Sequence, residues 1–276
     1  MKLATIRDRS TTTAVRIDGD EAVELGAADV GAVLRREGWQ AWAASQDGAR
    51  HPLDGLDYAP VVPKPDKVIC VGLNYRSHIL EVGRELPEHP TLFAKFRQTL
   101  IGANDDIVLP AVSDQVDWEA ELAVVVGATA RHVTVEQATS YIAGYAVLND
   151  VSVRDYQNRT LQWLQGKTFE GTTPVGPWLV TADEPPGPNR DITCEVDGEL
   201  MQKADTSGLV FDPATLVSYI SSILTLEPGD LIATGTPGGV GMARTPQRYL
   251  ADGETVVTSI SGVGELRNVC RKERLD

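Results

Sequence analysis

DWEAELAVVVG, the stretch at residues 117–127, alternates with the two-residue period of a β-strand. Asp117, Glu119 and Glu121 fall on one face, and the residues of the other face are all apolar. Two residues of strand rise place the Cβ atoms of Glu119 and Glu121 about 7 Å apart. Carboxylates that close repel each other unless a cation lies between them or one of them takes up a proton. Two interpretations stay open: a site for a hard divalent cation with oxygen ligands, and a solvent-exposed acidic face on a half-buried strand.

Length and charge limit the classes of function. The chain has 276 residues, which is room for one large domain with a small companion. Its net charge of −14 argues against a nucleic acid or an anionic membrane as partner, because both require a basic patch. An anionic small substrate remains compatible with this charge, since a bound cation can reverse the local sign.

The cysteines and the first residues indicate the compartment. Cys70, Cys194 and Cys270 are far apart and form no C-x-x-C pair, so neither a zinc site nor a disulfide framework is indicated. The first ten residues carry charges throughout and lack the apolar core of a signal peptide, and no apolar run approaches the ~20 residues that cross a bilayer. We therefore expect a protein of the reducing cytoplasm.

The chain divides near residues 63–66, where a segment rich in proline and glycine ends. Residues 1–62 are predicted to form a small N-terminal α+β domain, and residues 66–276 a larger catalytic domain. Strands outnumber helices in the larger part and do not alternate regularly with them, which predicts a mixed α/β fold dominated by β-structure.

Five segments have helical signals, and the one at residues 75–83 is described below with its polar residues. Asp29 is a candidate cap for a helix that Gly38 would end, and Asp212 with Pro213 opens a longer one. Thr134 is a candidate cap for a third helix, and residues 153–164 have the apolar spacing of a fourth.

Asp150, at the end of an apolar strand, is a candidate third oxygen ligand beside Glu119 and Glu121. The alternative is that it caps the helix that follows. If all three residues are ligands, the absence of His and Cys from the motif favours Mg²⁺, Mn²⁺ or Ca²⁺ over Zn²⁺ or Cu²⁺.

His78 and Glu81 are three residues apart on a predicted short helix and therefore share a face. An imidazole that a carboxylate orients makes a good general base. The alternative is that His78 and Glu81 are only a polar pair on the surface.

Lys167 lies between predicted elements, where a lysine is usually solvated. The sequence TGTPGGVG at residues 234–241 lacks the spacing of a phosphate-binding loop, so its glycines are expected to let the backbone approach a ligand or another strand. Trp118, Trp163 and Trp178 are expected in the core.

Five motifs occur in the order seen in the fumarylacetoacetate hydrolase superfamily, and the likeness covers about residues 66–270. They are VGLNYRSHILE, DWEAELAVVVG, AVLNDVSVRDYQ, GKTFEGTTPVGPW and LIATGTPGGVG. The resemblance implies a β-roll-like mixed domain, a homodimer, a divalent metal such as Mg²⁺ or Mn²⁺, and a small anionic 2-oxo or β-diketo acid as substrate. By motif position it implies these roles: metal ligands Glu119, Glu121 and Asp150; a catalytic dyad His78 and Glu81 on a segment that orders over the substrate; an active-site lysine Lys167; and substrate-binding residues Gln157 and Thr236.

Two departures from the family pattern concern the substrate side chain. Some acylpyruvate-cleaving members have arginine where this chain has Leu73, and the stretch at residues 170–173 also varies. The resemblance places hydrolysis of a C–C bond in a β-diketo acid first. The alternatives are isomerisation of 2-hydroxyhepta-2,4-diene-1,7-dioate, decarboxylation of oxaloacetate, and a binding module in which Ca²⁺ is only structural.

Overall fold

The computed structural model describes residues 1–9, 11–81, 85–183 and 190–275, without the side chains of His78, Leu80 and Glu81. These residues contain 39% strand and 19% helix, which confirms the prediction of a mixed fold dominated by strands. The strands are β1 (Lys2–Asp8), β2 (Thr11–Asp18), β3 (Glu21–Glu24), β4 (Arg50–Pro52), β5 (Val68–Gly72), β6 (Thr91–Lys95), β7 (Leu100–Ile101), β8 (Ile107–Leu109), β9 (Val116–Asp117), β10 (Ala120–Val126), β11 (Ile142–Asn149), β12 (Ser152–Val153), β13 (Thr173–Thr181), β14 (Asp191–Val196), β15 (Glu199–Asp205), β16 (Leu231–Ala233), β17 (Thr255–Ile260) and β18 (Gly264–Lys272). The α-helices are α1 (Val30–Leu34), α2 (Trp39–Ser45), α3 (Arg76–Glu81), α4 (Val135–Ala138), α5 (Arg154–Gln157), α6 (Leu164–Lys167) and α7 (Pro213–Ile223), and short 3-10 helices span Arg97–Thr99, Thr139–Tyr141, Thr206–Gly208 and Gly241–Ala243.

The main sheet has the strand order β4-β3-β2-β1-β13-β11-β10-β16-β5-β6, with β7 added to β13. A second sheet has the order β15-β14-β17-β18-β8, and β9 pairs with β12. In the main sheet β10 lies between β11 and β16, and every residue of β10 is buried. A strand covered on both faces carries a continuous apolar run, which explains the sequence Ala-Val-Val-Val at its end.

The first strands continue the main sheet rather than forming a separate one. β1 pairs antiparallel with β13, with Lys2 opposite Val180 and Leu3 opposite Leu179. Strands β2, β3 and β4 then extend the sheet outward from β1. The division of the chain into domains at residues 62–66 stays a prediction.

The helix signals differ in how well they mark the helix ends. Asp212 caps α7 by accepting a hydrogen bond from the Thr215 N–H, and Thr134 caps α4 in a capping box with Gln137. Asp29 caps α1, but α1 ends at Leu34, and Gly38 in the left-handed region starts α2 instead of ending α1.

The helix predicted over residues 153–164 is much shorter: α5 ends at Gln157, and turns separate it from α6, which begins only at Leu164. The chain folds back so closely that a Cβ on Gly166 would lie 2.4 Å from the Gln157 nitrogen. Glycine is therefore required where α6 packs against α5. In the described ranges, no helix is long and apolar enough to cross a membrane.

Candidate active site

Three buried carboxylates gather where β10 begins and β11 ends. Glu119 precedes β10, Glu121 lies within it, and Asp150 follows β11. The pairing of Ala120 with Asn149, and a hydrogen bond from the Asp150 N–H to the Glu119 carbonyl, bring them together. One carboxylate oxygen from each lies within 4.8 Å of the other two. The interpretation of an exposed acidic face is therefore wrong.

Two lysines lie against these carboxylates. Lys167 Nζ is 2.7 Å from Glu119 Oε2 and 2.8 Å from Asp150 Oδ2, while Lys95 Nζ is 2.6 Å from Asp150 Oδ1. The expectation of a solvated Lys167 is wrong, because it ends α6 and is only 2% exposed. The helix-cap alternative for Asp150 is also wrong, since its side chain binds the lysines and the residue before α5 is Val153.

Arg154 is the third buried cation of the site. Its Nε donates to Asp117 Oδ2 at 2.8 Å, and its Nη1 donates to Glu119 Oε1 at 2.7 Å and to Gln157 Oε1 at 2.9 Å. The Asp117 carboxylate also accepts the N–H groups of Gly241 and Met242. Asp117 thus holds the strand, Arg154 and the end of the glycine-rich loop together.

The charges of the cluster shift the pKa values of the glutamates in opposite directions. Burial raises the pKa of Glu121 well above its usual range, and the neighbouring Asp150 and Glu119 raise it further. Burial also acts to raise the pKa of Glu119, but Lys167 and Arg154 outweigh it and lower the pKa to about 2. Four carboxylates thus face three cationic groups, and Glu121 is the carboxyl group that its surroundings make hardest to ionise.

This donor set fits a hard divalent cation. The three carboxylates that come together supply oxygen ligands only, and one added cation would relieve the repulsion that helps to raise the pKa of Glu121. Among the described residues, the Glu121 carboxylate accepts one hydrogen bond, from the Gly235 N–H at 2.7 Å. Glu119, Glu121 and Asp150 are therefore the residues that would hold a metal.

The loop at residues 234–241 approaches the site through its backbone, as its glycines predict. Gly235 has a φ of +104°, and a Cβ there would lie 2.8 Å from the Asn74 Cβ. Gln202 fixes the loop: its Nε2 donates to Thr236 Oγ1 at 2.8 Å and its Oε1 accepts the Ala120 N–H.

A cavity of about 450 Å³ opens beside the carboxylates. Its lining includes these predicted site residues: Glu119, Glu121, Gln157, Lys167 and Thr236. Most of its other lining residues are apolar, namely Val71, Leu73, Phe93, Trp163, Val240, Met242 and Ala243. The cavity lining therefore combines charged and apolar side chains.

The three tryptophans expected in the core have different environments. Trp118 is fully buried, as expected, and Trp178 is partly buried against the core. Trp163 is not a core residue: it lines the cavity, its ring lies edge-on to Phe93, and a Cβ on Gly72 would meet the ring at 2.3 Å.

The His78–Glu81 dyad lies outside the described side chains, although the backbone of α3 that carries it is described. Leu73, at the start of this segment, has a φ of +55°, and the buried Asn74 side chain bonds to the backbone of Phe211 and Thr234. The base of the segment is thus anchored. The dyad itself stays a prediction.

Sequence reasoning missed three residues of the site: Asp117 as an anchor, and Lys95 and Arg154 as counter-charges. Asp117 had a signal, because it lies on the same strand face as the two glutamates. Lys95 and Arg154 had only an indirect one, since several acids buried together require nearby cations.

Comparison with known proteins gives consistent matches over most of the chain. Residues 67–271 match the family model described as fumarylacetoacetate (FAA) hydrolase C-terminal. The mitochondrial oxaloacetate tautomerase Fahd2a of Rattus norvegicus is 43% identical over 219 residues, covering 79% of this chain and 70% of that protein. Among solved structures, 5-carboxymethyl-2-hydroxymuconate delta-isomerase from Mycobacterium smegmatis matches with a TM-score of 0.83, 34% identity and 100% coverage of both chains. Fumarylacetoacetate hydrolase from Exiguobacterium antarcticum matches with a TM-score of 0.88 and 31% identity, covering 99% of this chain and 100% of that one.

Proposed function

This chain belongs to the fumarylacetoacetate hydrolase family of enzymes, and from that premise we propose that it interconverts the keto and enol forms of a small 2-oxo acid such as oxaloacetate. The observation that carries the proposal is the buried cluster of Glu119, Glu121 and Asp150 beside a cavity that Lys167 and Arg154 also line. Enolate chemistry needs positive charge close to an oxygen that becomes negative, and this end of the cavity supplies it.

The names of the similar proteins limit the reactions that need to be considered. Those named above are a tautomerase, an isomerase and a hydrolase, and all three reactions can pass through the enol of a 2-oxo acid. The sequence alone ranks C–C hydrolysis first. The 43% identity over 219 residues with a protein named as an oxaloacetate tautomerase supports placing tautomerisation first.

A divalent cation held by the three carboxylates would act as a Lewis acid that polarises the 2-oxo group. Lys167 lines the cavity, and its Nζ would donate a hydrogen bond to the negative oxygen of the enolate. Arg154 Nη2 is buried and has no hydrogen-bond partner among the described residues, so together with Gln157 it is available to the substrate carboxylate. These groups hold the substrate and stabilise its charge, while the proton moves.

The proton transfer is assigned to His78, oriented by Glu81, on the strength of the family resemblance. In tautomerisation the imidazole would take a proton at one substrate atom and return it at another. The apolar residues of the cavity lining, with Trp163 and Phe93, would keep bulk water from the carbon that is protonated.

C–C hydrolysis of an acylpyruvate is the second candidate. The similarity to a solved fumarylacetoacetate hydrolase favours it, and the cavity has room for a diketo acid and a water molecule. In this reaction His78 would remove a proton from water instead of from the substrate, and the hydroxide would attack the distal carbonyl.

The test is a substrate panel with Mg²⁺ or Mn²⁺. It contains enol-oxaloacetate, acetylpyruvate, fumarylpyruvate and 2-hydroxyhepta-2,4-dienedioate, each followed by its ultraviolet absorbance, with pyruvate release measured separately. We expect enol-oxaloacetate to be converted fastest, without release of pyruvate or CO₂. If the release of pyruvate from acetylpyruvate is the fastest reaction instead, the proposed function becomes C–C hydrolysis.

A histidine variant tests the assigned base. His78→Ala should slow tautomerisation by about 10²–10⁴-fold, the usual effect of removing a general base or acid. His132→Ala is the matched control, because His132 is exposed and does not line the cavity. Equal rates for the two variants would remove His78 from the mechanism.

The assembly is proposed to be a homodimer, as the family resemblance implies. Light scattering coupled to size exclusion should give twice the chain mass of 29.8 kDa. A mass of one chain would contradict this part of the proposal.

A further inference from the structure

The two lysines at Asp150 differ in what they can reach. Lys167 lines the cavity, whereas Lys95 is absent from the cavity lining and its side chain is fully buried. Lys95 Nζ is 2.6 Å from Asp150 Oδ1 and 3.0 Å from the Val151 carbonyl. Lys95 therefore reaches only groups of the protein, whereas Lys167, besides its bonds to Glu119 and Asp150, also faces the space where a substrate would bind.

The position of Lys95 is fixed by the sheet. It is the last residue of β6, where it pairs with Val68 of β5, and it shares a strand face with Phe93. Phe93 packs edge-on against Trp163 at the cavity, and Lys167 Nζ lies 5.1 Å from the centre of the Phe93 ring. One short strand thus supplies both the ammonium group behind Asp150 and the ring beneath Lys167.

This arrangement has an electrostatic consequence. A fixed positive charge on Asp150 Oδ1 opposes the binding of a second cation to the same carboxylate, and the opposition is strong at short range in a buried site. The contact between Lys95 Nζ and Asp150 Oδ1 also fixes the orientation of the Asp150 carboxylate, so this orientation does not depend on Lys167.

From this geometry we infer that Lys95 is a positioning residue: it holds Asp150, lowers the affinity of the three carboxylates for a divalent cation, and leaves Lys167 available to the substrate. The inference rests on the proposed metal-dependent function. It assigns the lysines separate roles, with Lys95 acting on the ligand Asp150 and Lys167 acting on the substrate.

Metal binding tests the inference without any enzyme activity. In Lys95→Met the opposing charge is gone, so calorimetry should show Mg²⁺ and Mn²⁺ binding at least about tenfold more tightly than in wild type. Lys95→Gln keeps a hydrogen-bond donor but also loses the charge, and it should show the same gain. A merely structural lysine would give unchanged or weaker metal binding when replaced.

Turnover gives a second readout. Without Lys95, no lysine holds Asp150 Oδ1 and the carboxylate is less well oriented, so kcat should fall by about 10–100-fold, the usual range for losing a residue that orients a metal ligand. KM should change less, because the groups that line the cavity remain. Lys95→Gln should retain more of kcat than Lys95→Met, since it can still orient Asp150.

Lys67→Met is the matched control. Lys67 Nζ also pairs with a buried aspartate, Asp230, at 2.9 Å, but neither residue lines the cavity. This variant should be less stable to denaturant while keeping wild-type metal affinity and kcat.

The outcomes separate the two proposals. Wild-type protein that binds neither Mg²⁺ nor Mn²⁺ would overturn the proposed function. Wild-type binding together with equal or weaker binding by both Lys95 variants would overturn the role of Lys95 alone. If Lys95→Met does not fold, Lys95→Gln decides, and failure of both to fold would assign Lys95 to the stability of the fold and overturn the inference.

Discussion

Arg154 and Arg7 each bridge a pair of acidic side chains, and they differ in what surrounds them. Arg154 joins Asp117 and Glu119 at 2.8 and 2.7 Å, and its side chain is 4% exposed. Arg7 joins Asp57 and Asp105, both at 2.6 Å, and its side chain is 30% exposed. The contacts are equally short, so distance does not distinguish the two clusters.

Burial does distinguish them. In the Arg154 cluster, removing one charge leaves its partners uncompensated in a medium that solvates them poorly. In the Arg7 cluster, water replaces the lost partner at little cost, so such pairs contribute about 0–1 kcal/mol. The first cluster belongs to the candidate active site, whereas the second ties residues 1–62 to the loop at Asp105.

Arg154→Leu should have the largest effect. It leaves Asp117 and Glu119 buried without their guanidinium, so the free energy of unfolding should fall by about 3–5 kcal/mol, the usual cost of breaking a buried ion pair. Denaturant unfolding at neutral pH measures this, with Arg7→Leu as the matched control. A loss below about 1 kcal/mol would show that burial does not separate the clusters.

The parts of the site that the sequence predicts are those set by local geometry. Glu119 and Glu121 are two residues apart near the start of a strand, so backbone period alone places them together. Asp212 and Pro213 mark the start of α7 for a similar reason, because a cap acts on the first turn of its own helix.

The parts that the sequence does not predict depend on chain topology. Lys95 meets Asp150 across 55 residues, and Arg154 meets Glu119 across 35. Lys95 is on β6, three strands from β10 in the order β10-β16-β5-β6, so its contact with Asp150 depends on the folded sheet and on no local pattern. The same long-range packing breaks the predicted helix at residues 153–164 and moves Trp163 from the expected core to the cavity.

Glu119→Gln tests the Arg154 cluster further, because it removes the charge of one carboxylate and keeps the shape of the side chain. Affinity for Mg²⁺ should fall by about 10²-fold or more, because ligand charge sets the affinity of such sites, and all activities should fall with it. Calorimetry measures the affinity, and circular dichroism should show that the fold is retained. Glu265→Gln, which removes the exposed partner of Arg267, is the control. Unchanged Mg²⁺ binding would exclude Glu119 as a ligand.

The pH dependence of stability should also differ. Despite burial, Lys167 and Arg154 lower the pKa of Glu119 to about 2 in the metal-free protein. Its carboxylate therefore contributes stability that is present above the unfolded pKa of about 4.3 and is lost as the pH falls toward 2. The difference in the free energy of unfolding between wild type and Glu119→Gln should shrink from about pH 5 to pH 2.

Glu121 does not obscure this measurement. Burial raises its pKa in the folded protein, and both wild type and Glu119→Gln contain it, so most of its contribution cancels in the difference. Urea unfolding at several pH values, in the presence of a chelator, gives the difference. A difference that is constant over this range would mean that the lysine and the arginine do not stabilise the charged form of Glu119.

The Arg7 cluster should show the smallest effect, and a double-mutant cycle is needed to measure it. Asp105 Oδ2 also accepts the Gly102 N–H at 2.6 Å, so Asp105→Asn alone would combine a turn effect with the loss of the ion pair. Comparing Arg7→Met, Asp105→Asn and the double variant isolates the pair. The coupling energy should be about 0–1 kcal/mol and should shrink in 1 M salt, which screens exposed charges. The Lys2–Val180 pairing of β1 with β13 still joins residues 1–62 to the main sheet in every variant. A coupling energy of about 3 kcal/mol or more that salt does not reduce would make the Arg7 ion pair as strong as a buried one. Burial would then not explain a difference between the Arg7 and Arg154 clusters.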